Sequence, residues 1–89
     1  MTPEQLILKI GEGPLCTHKG RSFRLPVFVY AHIAVRKYAV GNKIGASDAA
    51  RHMYEASYEC KAMFPHTYRK HVSGIQTYID QLFGLLNGH

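Results

Sequence analysis

The sequence predicts an all-α fold, a small helical domain of three main helices preceded by a short N-terminal one. Three observations carry this. Residues 26–40, PVFVYAHIAVRKYAV, are apolar at nearly every position up to Arg36. Ala49, Ala50, Met53, Ala56, Cys60 and Met63 recur at steps of three and four. Tyr68, Val72, Ile75, Ile79, Leu82 and Leu86 are spaced 4, 3, 4, 3 and 4 residues apart, a heptad seam. With 89 residues, 46% hydrophobic and 19% charged, the chain has the composition of a globular domain and not of a disordered one. That length suits one domain, residues 1–89, built around a single modest core.

Taken in order, Thr2 before Pro3 reads as an N-cap followed by a proline at the first helical position, where its missing N–H costs nothing. Leu6, Ile7 and Ile10 give one apolar stripe before GEGP stops the helix. Residues 11–25, GEGPLCTHKGRSFRL, sustain neither a helical nor an alternating period and read as a loop. The alternative within 14–25 is a small β-hairpin turning through Lys19 and Gly20. From Pro26 the Ala positions 31, 34 and 39 and the length of the run favour helix over buried strand. Being apolar around most of its circumference, this helix should be the central one, with His32 a hydrogen-bonded core or rim residue. GNKIGAS reads as a turn, with Gly41 as helix stop and Ser47–Asp48 as the next helix start. Small residues along that helix permit close approach, and Cys60 reads as a small core residue. Pro65 limits it, because a residue preceding proline is disfavoured in the α conformation.

The last segment reads as one amphipathic helix, which Gly74 makes costlier by about 1 kcal/mol relative to Ala. Its seam, widened by Phe83 and Leu85, is expected to close the core with its first half. With its end it is expected to pair with a second copy, through Ile75, Ile79, Leu82, Phe83 and Leu86. A homodimer would relieve the marginal burial of so small a chain.

Several function classes find no support in the residues. There is no Gly-x-Ser-x-Gly elbow, no P-loop and no Rossmann glycine pattern, and the six acids are scattered, so no enzyme activity and no cofactor are expected. Cys16, His18, Cys60, His66 and His71 are ligand types but lack paired zinc spacings, so no metal is expected. Two cysteines in separate segments, no leader pattern and no stretch of about 18 uncharged residues point to a cytoplasmic protein without a membrane span.

What remains is charge. Eleven Lys and Arg against six Asp and Glu leave a formal +5, which favours an anionic partner, because phosphates attract these cations and release counterions on binding. The segment PHTYRKHVSGI sets His66, Thr67, Arg69, Lys70 and Ser73 at the start of the last helix. Arg and Lys suit guanine or phosphate there, and Thr and Ser suit base or backbone. Lys19, Arg21, Arg24, Lys43 and Arg51 are the further candidate phosphate contacts. The order of a buried helix, a helix opening SDAARHM and then this segment resembles the tri-helical helix-turn-helix core of many bacterial transcription regulators. That resemblance covers about half the chain and implies a DNA-binding regulator, acting on double-stranded DNA as a dimer. The alternative is a small adaptor or inhibitor, of the kind mobile elements encode, that binds a host protein complex, since Tyr and Arg are also enriched at protein interfaces.

Overall fold

At the N-terminus, the Thr2 side chain accepts from the Gln5 amide at 3.1 Å while the Thr2 amide donates to Gln5 Oε1 at 2.9 Å. This reciprocal cap, with Pro3 inside it, starts helix α1 (Pro3–Ile10), whose Leu6 and Ile7 are buried. Gly11 at φ 77° ends it after two turns. The computed structural model describes residues 1–86 and is mostly helical with one small hairpin.

That hairpin occupies most of the segment read as a loop. Strands β1 (Leu15–His18) and β2 (Arg21–Arg24) pair antiparallel, with Cys16 opposite Phe23 and His18 opposite Arg21. Between them Lys19 at φ 51° and Gly20 at φ 75° are both left-handed, the geometry of a two-residue type I′ turn, which follows the twist of the flanking strands. Each strand is four residues long and turns chiefly one side chain inward, Cys16 and Phe23, so there is almost no alternation to read.

Helix α2 (Pro26–Ala39) buries Val27, Phe28, Ala31, Ala34 and Val35 and packs chiefly on α3 (Lys43–Met63). The facing stripe of α3, Ala46, Ala49, Ala50, Met53, Ala56 and Cys60, is small enough to bring the two axes close. Helix α3 begins at Lys43, ahead of the Ser47–Asp48 start that the sequence suggested. The reason is local: Asn42 Oδ1 accepts the Gly45 amide at 2.8 Å, so the cap lies in the turn itself. His32 Nε2 donates to the Gly11 carbonyl at 2.8 Å, tying α2 to the end of α1.

After Phe64, which leaves the helical region at φ −134° and ψ 67°, the chain does not form one regular helix. A single turn, α4 (Pro65–Thr67), runs into a π-helical turn at Tyr68–Val72, then a 3-10 turn at Ser73–Ile75, and only then into α5 (Gln76–Leu86). A wide turn followed by a tight one keeps the apolar seam on one side. The seam faces inward: Val72, Ile79, Leu82 and Leu86 are buried in the chain's own core, and Ile75 and Phe83 are half-buried against it. Ile79, Leu82 and Leu86, read from the sequence as a dimer face, therefore offer no surface to a second copy. The heptad spacing records packing against α1, α2 and α3.

Candidate nucleic-acid interface

Phe64, the single residue between α3 and α4, organises one end of the molecule. The His18 ring meets it edge-on with centroids 4.7 Å apart, and the Phe23 ring lies 6.4 Å away. Behind them a cavity of about 80 Å³ is lined by Phe23, Leu25, Ala56, Cys60 and Met63 as well as Phe64. These contacts dock the hairpin on the C-terminal end of α3. The turn residues Lys19 and Arg21, on either side of Gly20, consequently stand beside the start of the α4 segment.

Lys19, Arg21, His66, Arg69 and Lys70 are all exposed, on two segments distant in sequence that the His18–Phe64 contact brings together as one basic edge. Glu59 also lines the small cavity. Thr67 is half-buried. The Ser73 hydroxyl donates to the Arg69 carbonyl at 2.8 Å, a bond within its own helical segment of the kind that bends helices.

The remaining candidate cations lie elsewhere. Arg24 sits at the end of the hairpin away from its turn, where it donates to the Gly13 carbonyl at 2.8 Å and pairs with Glu12 at 3.5 Å. Arg51 pairs with Asp48 one turn earlier on α3. Lys43 begins α3, about 30 Å from Phe64 at 1.5 Å per residue. Five of the ten candidate residues are thus brought to one edge, and Arg24, Arg51 and Lys43 are not.

Beside this edge lies a groove whose residues the alanine pattern obscured. Tyr54, Ser57, Tyr58 and Lys61 follow one face of α3 at steps of three, one and three, and Tyr68, Gln76 and Asp80 close the other side around a volume of about 330 Å³. The Tyr54 hydroxyl donates to Asp80 Oδ1, which also accepts from Gln76 Nε2 at 3.3 Å. Burial first, and then the Asp80 carboxylate, push the Tyr54 phenol well above its ordinary value of 10.0, so it stays a donor to higher pH than a free phenol does. Lys61 Nζ lies 5.8 Å from the Tyr68 ring centroid. The spacing of Tyr54, Ser57, Tyr58 and Lys61 is the signal in the sequence that points to this face.

Cys16 and Cys60 are buried free thiols, and burial raises the Cys60 pKa above that of an exposed thiol, which keeps it protonated. Among the described residues no three His, Cys, Asp or Glu side chains gather as metal ligands, and no helix is long and apolar enough to cross a membrane. No protein-family model, no curated protein and no solved structure matches the chain.

Proposed function

We propose that the chain is a small nucleic-acid-binding protein, a DNA-binding regulator that holds the phosphate backbone of double-stranded DNA on the edge formed by Lys19, Arg21, His66, Arg69 and Lys70. The observation that carries this reading is the docking of the hairpin on Phe64, which adds the turn's two cations to those of the segment 65–70. Cations from two rigidly joined elements can follow a phosphate backbone, which a lone charged helix start does less well. In this reading α3 and the segment after Phe64 stand in the order of a helix-turn-helix, with residues 65–70 toward the DNA. The Ser73 hydroxyl, spent on the Arg69 carbonyl, is not a base-reading donor.

Fluorescence anisotropy with a labelled duplex of random sequence, titrated at about 50 and 200 mM salt, tests the proposal. Four full cations on phosphates give a slope of log K against log salt near −3.6, or roughly a hundred-fold loss across that window. Lys70→Ala lowers the slope by about one unit for every sequence, whereas Arg69→Ala changes sequence preference if that side chain reads a base. An unchanged titration for the Arg69→Ala/Lys70→Ala double variant removes the segment from the interface.

A second reading, a protein-binding adaptor, draws on the opposite corner of the molecule. There Val40 and Ile44, 80% and 79% exposed, flank the turn between α2 and α3. Binding through such a corner would be insensitive to salt, and the same titration separates the two readings.

A further inference from the structure

We infer that the groove between α3 and the start of α5 receives a single unpaired nucleobase, stacked on Tyr58, from the nucleic acid whose phosphates the basic edge holds. The inference rests on that nucleic-acid reading and adds a second, separable site to it.

The groove has the parts such a ligand needs. Its volume of about 330 Å³ lies at the low end of small-ligand sites, ~300–1,000 Å³. Tyr58 stands 72% exposed on its wall, a large planar ring presented to solvent on a regular helix. Stacking on such a ring is indifferent to base identity, because every base has a π-face. The groove floor is polar. Among the described residues, the hydroxyl of buried Ser57 makes a long 3.5 Å contact with Gln76 Oε1, so both groups retain capacity to bond the edge of a base. Lys61, over the Tyr68 ring at the mouth, provides a cation for the attached phosphate. Tyr68 is followed directly by Arg69 and Lys70, so the groove opens onto the same segment that carries the basic edge.

The geometry of the backbone is consistent with that use. Tyr68, which lines the groove, opens the π-helical turn Tyr68–Val72, and such turns are frequent at functional sites. A base within a paired stack cannot reach Tyr58. The ligand is therefore a strand end, gap or bulge next to duplex held by Lys19, Arg21 and Lys70.

The test compares a blunt labelled duplex with the same duplex carrying a two-deoxyadenosine 3′ overhang, by anisotropy at about 50 mM salt. The overhang is expected to tighten binding roughly 5- to 160-fold, the size of one base–aromatic stack. Tyr58→Ala should erase that gain while leaving blunt-duplex affinity and its salt slope unchanged, and Tyr58→Phe should keep it. Because Tyr58 is exposed, neither variant disturbs the core. Equal binding of both duplexes by the wild-type protein, or a gain that survives Tyr58→Ala, overturns the groove while leaving the phosphate edge standing. Failure to bind either duplex overturns both.

Discussion

Gly13 holds φ +83° with the site of a β-carbon 2.3 Å from a ring carbon of Phe28. Two penalties therefore meet at one residue, since a side chain there is strained by the left-handed backbone and must also displace a buried ring. Gly13→Ala is expected to lower unfolding free energy by about 2–4 kcal/mol, read by urea denaturation. A loss under about 0.5 kcal/mol, the scale of an ordinary surface substitution, would show the ring free to move. Tyr54 gives a residue-scale prediction with a sign. Its phenol is raised in the folded chain relative to the ordinary value of 10.0, so the unfolded chain loses the proton first. Its contribution to stability is accordingly complete below pH 10 and declines as pH rises above it. Denaturation midpoints should fall between about pH 9.5 and 11, and Tyr54→Phe should flatten part of that fall, with buried Cys60 supplying a further part. At this scale the sequence was legible where a residue's partner is its own helix or core. Cys60 as a small core residue is found so, and His32 is hydrogen-bonded as expected, although its partner, the Gly11 carbonyl, lies in another element. Gly13 was not, because its constraint comes from Phe28, fifteen positions away.

Among elements, helix existence followed from apolar period, and boundaries followed from side-chain caps that period does not report. Asn42 is the clearest instance, and Asn42→Ala is expected to cost about 1 kcal/mol and to speed hydrogen exchange at the 43–46 amides ahead of the rest of α3. Uniform exchange along the helix would show that the cap contributes nothing local. The hairpin was hidden for a different reason. Its strands are short, and what holds them is Phe64, forty-one residues from Phe23 in sequence. Phe64→Ala should strip exchange protection from residues 15–24 while α2 and α3 keep theirs. It should also weaken duplex binding by about as much as losing Lys19 and Arg21 together. Full protection of the hairpin in that variant would mean that the strands stand without their dock. The π-helical turn at Tyr68–Val72 had no sequence signature either, since YRKHV suits a regular helix and only the packing around it selects the wider one.

For the whole molecule, the two ends of α3 present different surfaces. Cations of the hairpin turn and the 65–70 segment collect at the end marked by Phe64. The far corner, about 30 Å along α3, carries Lys43 with exposed Val40 and Ile44. The strongest pattern in the sequence, the heptad seam, bears on how many copies make this shape. A seam of this kind serves equally for a partner helix or for the chain's own core, because both remove the same stripe from water. Here α1, α2 and α3 cover it, and Ile79 and Leu82 are 2% and 0% exposed within a single chain. Their loss should therefore act on folding and not on association. Ile79→Ala and Leu82→Ala are each expected to cost about 2–5 kcal/mol, the range for emptying a packed core site. That loss should be the same at low and high protein concentration, since nothing is gained by mass action when the stripe is covered internally. Thermal unfolding of the wild type and both variants, repeated over about a hundred-fold range of concentration, reads this directly. A melting temperature that rises with concentration in the wild type and loses that dependence in Leu82→Ala would place the seam between two copies and require the helices to open to form it.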